Sequence, residues 1–68
     1  MKNKLLEKIL KEYDWVCDKW YKLNAFITFD ETFLFLDKLH KELLKTQLRV
    51  LETYRNILEI RIDLIEGE

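Results

Sequence analysis

The sequence contains no proline and no serine, and its single glycine, Gly67, is the penultimate residue. Turn-forming residues are therefore nearly absent, which excludes a many-stranded fold with its several tight turns. Cys17 is the only cysteine, so no disulfide can form within one chain. One cysteine and one histidine, His40, do not supply a structural zinc site. Without serine there is no serine nucleophile, and no glycine-rich phosphate loop or paired-cysteine motif occurs. No run of 18 apolar residues is present, so no membrane-spanning segment and no membrane partner are expected.

Charge of one sign is also lacking. Twelve Lys and Arg face thirteen Asp and Glu, a formal net charge of −1. Such a chain has no global field to attract nucleic acid, which is not expected as a partner. Residues 1–24 carry +2 and residues 25–68 carry −3, a mild asymmetry that suits an antiparallel arrangement. Lys2, Lys4, Lys8 and Lys11 make the N-terminal region basic, but acids interleave and the reading is a solvated helix face. The opening resembles a secretory leader only until Glu7, Lys8, Lys11 and Glu12 interrupt it. A cytoplasmic protein with a reduced thiol is expected.

What is present is Leu, Ile, Lys and Glu, the composition of long helices. Leu6, Ile9, Tyr13, Val16, Trp20 and Leu23 alternate by three and four, the seam of an amphipathic helix predicted over about 3–24. Leu10 and Cys17 widen that stripe. Residues 25–29, Ala-Phe-Ile-Thr-Phe, are read as an extended connection after Asn24. Thr28 with Glu31 has capping-box spacing, and Asp30 is a second candidate cap. A second helix is predicted from about 30 to 66 with no internal stop, ~54 Å against ~32 Å for the first.

The expected fold is all-α: one domain over 1–68, an antiparallel helical hairpin with a short first and a long second helix. A three-helix bundle, broken near Thr46-Gln47 or Thr53, is the alternative. So short a chain buries only ~60% of its unfolded surface and usually needs a staple. Oligomerisation is the one that remains. In the unequal hairpin the end of helix two overhangs. Tyr54, Ile57, Leu58, Ile60, Ile62, Leu64 and Ile65 become the expected self-association interface of a homodimeric four-helix bundle.

Helix two carries two apolar edges. One is Leu36, Leu43, Val50, Ile57 and Leu64; the other is Leu44, Leu51, Leu58 and Ile65, with Leu48 and Ile62 beside it. Between them runs a polar column at the same seven-residue spacing: His40, Gln47, Tyr54 and Arg61. Buried in a bundle it would fix pairing register; it is also where a polar channel or ligand would sit. Asp37 and His40 have metal-site spacing, and Cys17 would lie at a similar level in a hairpin turning near residue 27. The plainer reading makes Cys17 a small apolar seam residue and Asp37 a carboxylate favoured by a helix N-terminus. No catalytic residue, metal or cofactor is therefore expected. Trp15, and more weakly Tyr21, lie off the seam as candidate contacts to another protein. The function expected is a small non-enzymatic, regulatory protein–protein interaction module. The alternatives are a nucleic-acid-binding hairpin dimer or an assembly component.

Overall fold

The computed structural model describes the backbone of residues 2–67 and the side chains of residues 4–67. It is an all-α hairpin. Helix α1 spans Lys2–Phe29, a single turn α2 spans Glu31–Leu34, and α3 spans Lys38–Glu66. α1 and α3 pack antiparallel, giving a body 49 Å long and 15 × 13 Å across.

The helix boundaries differ from the sequence expectation in two places. α1 does not stop at Asn24 but continues through the segment 25–29 read as an extended connection. Phe26 and Ile27 are half-buried, and the Phe26 ring meets Phe33 edge-on, 6.1 Å between centroids and 85° between planes. That packing outweighs the β-preference of Phe, Ile and Thr, which is a weak local term. The second helix in turn begins at Lys38, not near residue 30.

Two aspartates make the bend in place of glycine or proline. Asp30 accepts a 2.8 Å hydrogen bond from the Thr32 amide and caps α2. Asp37, in an extended conformation (φ −71°, ψ 168°), accepts a 2.8 Å bond from the His40 amide and caps α3. Both satisfy amides that a helix start leaves unpaired. Of the two capping arrangements expected here, the Asp30 cap forms, but it starts one turn of helix rather than the long one. Phe33 on α2 is buried and closes the end of the hairpin, with Lys41 Nζ 5.8 Å from its ring centre.

The consequence is two helices of matched length, 28 and 29 residues, each ~42 Å long. No overhang exists. Residues 53–65 lie against the first half of α1, and Leu58 and Ile65 join Ile9 and Val16 in the core. Leu6, Tyr13, Leu51, Tyr54 and Ile62 pack around them. On α3 the inward residues are Leu44, Leu48, Leu51, Arg55, Leu58, Ile62 and Ile65, a regular four–three alternation, and each is buried or half-buried. The three-helix alternative does not form, because α3 runs unbroken through Thr46, Gln47 and Thr53.

Leu58 is 0% exposed and sits at the centre of this seam. Leu58→Ala is expected to cost ~2–5 kcal/mol. That is comparable to the whole stability of a chain this size at ~0.05–0.15 kcal/mol per residue. Urea titration followed by far-ultraviolet circular dichroism should show the variant largely unfolded before denaturant is added. A midpoint near wild type would mean that Leu58 is not at the packing centre.

The Asp37 cap also predicts a pH response. The bonds it accepts from the His40 amide and ring hold its carboxyl below the ordinary range. A lowered folded-state pKa adds stability above the unfolded value, and that stability is lost as pH falls through the folded one. Asp37→Asn keeps an acceptor without the titration. Below pH ~4 the wild type should therefore lose more stability than Asp37→Asn in paired thermal melts. Parallel losses would show that the cap does not titrate as the geometry requires.

Candidate interaction surfaces

The two open flanks of the hairpin are chemically different. One is closed by polar contacts. Tyr13 donates a 2.8 Å hydrogen bond to Glu59 Oε1, and this bond, with a smaller contribution from Cys17, pushes the Tyr13 phenol up. Arg55 lies with Cζ 4.8 Å from the Trp20 ring centre and with its nitrogens 3.9 Å from Glu52 and Glu59. Arg55 Nε and Trp20 Nε1 are covered and have no hydrogen-bond partner among the described residues. The stacking of the guanidinium on the indole offsets part of that cost.

The other flank is apolar and uncovered. On α3, Glu52 and Glu59 follow Val50 and Ile57 by two positions, ~200° around the helix. The edge Leu43, Val50, Ile57 and Leu64 therefore faces away from the polar flank. These four are 57%, 61%, 50% and 66% exposed. Of the two apolar edges read from the sequence, one builds the core and the other is exposed from Leu43 to Leu64, with its first member, Leu36, half-buried at the bend. A shallow depression of about 470 Å³ runs along the exposed edge, lined by Thr46, Arg49, Val50, Thr53, Tyr54 and Ile57. Tyr54 is half-buried and joins this surface to the core.

The structure divides the seven residues expected to form a self-association interface. Leu58 and Ile65 are spent in the intramolecular core, because the matched helix lengths bring α1 over them. Ile62 and Tyr54 are half-buried at its edge, while Ile57, Ile60 and Leu64 remain exposed. Of the polar column, His40, Gln47 and Arg61 are exposed and only Tyr54 is half-buried. In the single chain the column borders the apolar flank and encloses no channel.

Trp15 is 55% exposed, with Lys19 Nζ 5.6 Å from its ring centre. It borders a depression of about 450 Å³ with Lys19, Lys22 and Leu23 of α1 and Gln47 and Leu51 of α3. Trp15 therefore shares the flank that carries Gln47 and the exposed edge. Tyr21 is exposed on the back of α1, by Lys22, Ala25, Phe26 and Phe29. Composition and spacing did not reveal a further surface: Phe29, Leu34, Phe35 and Leu39, each at least 68% exposed, gather at the hairpin tip. Their seven-residue pattern is interrupted there, so periodicity could not sort inside from outside.

Asp37 and His40 do come together, with Nδ1 3.0 Å from Oδ1. That contact belongs to the helix cap and is exposed. Cys17 does not join them; its neighbour is Tyr13. Among the described residues no group of three or more His, Cys, Asp or Glu is placed to hold a metal ion. Among them, too, no helix is long and apolar enough to cross a membrane. Of the basic N-terminal residues, Lys4, Lys8 and Lys11 are exposed along α1, and the Lys2 side chain lies outside the described residues.

No curated protein and no solved structure matches the chain. A family model, described as Sequestin, matches residues 3–64, which takes in nearly all of α1 and α3 and the bend between them. This chain therefore belongs to the Sequestin family.

Proposed function

We propose that this chain is a small, non-enzymatic protein-interaction module that works as a homo-oligomeric helical bundle, a dimer of hairpins, and regulates another protein by binding it. The observation that carries this reading is the continuous exposed edge Leu43, Val50, Ile57 and Leu64 on an ordered helix. Soluble monomers seldom leave so long an apolar strip in water. The core supports it from the other side. Only Ile9, Val16, Phe33, Leu58 and Ile65 are buried among the described residues, a small payload for 68 residues. Burial of one further large side chain stabilises by ~1.5–3 kcal/mol, so covering the second edge would change the stability of the fold itself.

The non-enzymatic part rests on residue chemistry. Asp37 and His40 are engaged in capping α3, and the Tyr13 phenol is held neutral by its carboxylate partner. For the second protein, Trp15 is the anchor of choice: a half-exposed indole beside two lysines suits a partner with an apolar slot and an acidic rim. Mixed charge along both helices gives no support to a nucleic-acid reading.

Light scattering across a concentration series is expected to return a mass of about twice the 8.4 kDa chain. A strict monomer at every concentration would remove the homo-oligomer. A captured partner should lose affinity about tenfold or more with Trp15→Ala, the behaviour of an interface anchor. Unchanged capture would take Trp15 out of the binding surface.

A further inference from the structure

We infer that the flank of the hairpin carrying Trp15 docks an acidic helical segment of another protein, which sets one large apolar side chain beside the indole and its carboxylates on a stripe of lysines. This rests on the partner-binding reading just proposed and states the partner's chemistry. Charge is mixed along each helix but not around it. At ~100° per residue, Lys4, Lys8, Lys11, Trp15, Lys19 and Lys22 fall within about 80° of one another on α1. All six are exposed, and no Asp or Glu of α1 lies inside that sector. Half-buried Glu12 borders it toward the core, and Asp18, paired with Lys22 at 3.0 Å, borders it on the outer side. Among the described residues, Lys4, Lys8, Lys11 and Lys19 form no ion pair.

The neighbouring side of α3 adds Gln47, Tyr54 and Arg61 and no acid. The acids at that level, Glu52, Glu59, Asp63 and Glu66, are spaced by seven, four and three and so form one row. That row lies on the opposite flank, where Glu59 meets Tyr13 and Arg55. The net charge of −1 therefore conceals one basic and one acidic flank. The basic stripe is unfavourable for the isolated helix. Lysines three and four residues apart repel one another. α1 also has no acid in its first turn, where Lys4 opposes the helix dipole. An anionic partner relieves both penalties.

The kind of anion follows from shape. Between the helices, Trp15, Lys19, Lys22 and Gln47 surround a depression of about 450 Å³ that contains half-buried Leu23 and Leu51. A concave apolar site rimmed by amines takes a projecting apolar side chain flanked by carboxylates. A nucleic-acid backbone and a bilayer surface present anions without such a projection. Lys4 to Lys22 covers ~27 Å, and spacing by three and four matches acids along one face of a helix. The acid row of a second copy is not this partner, because Glu59 already bonds Tyr13 and, with Glu52, flanks Arg55.

The probe is a fluorescein-labelled synthetic helix with leucine along one face and glutamate beside it, titrated by anisotropy against the whole chain. The comparisons are the same helix with glutamine for glutamate, a labelled DNA duplex and phosphatidylserine vesicles. Wild type is expected to bind the glutamate helix about tenfold or more tightly than any of these, and to lose that preference at ~0.5 M salt. Lys8→Glu with Lys19→Glu should weaken binding about tenfold or more. Should that variant fail to fold, the salt dependence of wild type decides. Equal binding of the two helices, a lysine variant that binds like wild type, tighter binding of duplex or vesicles, or no binding at all would each overturn the acidic partner. The broader reading is scored separately, by whether immobilised wild type captures any protein from an extract. Capture alongside a failed probe leaves an interaction module with a different partner chemistry, and no capture removes the module as well.

Discussion

Everything in this molecule depends on one line of contact, the antiparallel seam between α1 and α3. Ile9 and Val16 are seven residues apart on one helix, and Leu58 and Ile65 are seven apart on the other. Equal steps let both pairs close in a single register. The polar contacts Tyr13–Glu59 and Trp20–Arg55 fall in that register as well. A slip of one helical turn would keep the apolar faces together but would separate Tyr13 from Glu59 and Trp20 from Arg55. The Asp37 cap fixes where α3 begins, and so sets that register from the bend. With neither glycine nor proline at the bend, capping chemistry is what ends one helix and starts the next.

A single seam leaves a two-helix body with most of its surface in water, and how that surface is arranged is the informative part. The flank with Tyr13, Glu52, Arg55 and Glu59 is closed by hydrogen bonds, ion pairs and a stacked guanidinium. Those side chains also lie over the core edge and keep water from it. The opposite flank has no such cover and carries leucine, valine and isoleucine at regular spacing. The apolar stripe of α3 is wider than one neighbour can cover, and the part that α1 leaves uncovered stays exposed. The Sequestin family match, over residues 3–64, takes in the residues of both flanks.

Much of the hairpin could be read from periodicity. The α1 seam from Leu6 to Leu23, the helical character of 38–66 and the two edges of α3 all follow from spacing by three, four and seven. The bend was not legible in the same way. Asp30 reads as a helix start from its position, but the residues that follow it extend a helix, so nothing in the spacing marks Asp37 as a second start seven residues on. Only its extended conformation and the bond it accepts from the His40 amide show that α3 begins there. The segment Phe26-Ile27-Thr28-Phe29 misleads for a different reason: its local preference is for strand, and contact with Phe33 overrides it. From that shift in boundaries came the error about the overhang. Once α1 gains its last turn and α3 loses its first two, the lengths match, and Leu58 and Ile65 move from a surface into the core. The exposed residues Ile57, Ile60 and Leu64 stay outside because the inner seam takes only one side of α3.

The threonines at 46 and 53 bear on why such a face can exist on so small a chain at all. An outer seam of leucine and isoleucine throughout would be a strong, poorly discriminating adhesive, and hairpins carrying it would associate without limit. Threonine keeps the spacing and a methyl group while presenting less apolar surface. Its hydroxyl bonds back to the helix and makes no demand on a partner. The flanking His40, Gln47 and Arg61 work in the same direction, since each must keep water or find a specific acceptor before the face closes. The exposed edge of α3 is therefore periodic without being uniformly apolar, and its two threonine hydroxyls are already bonded within the helix.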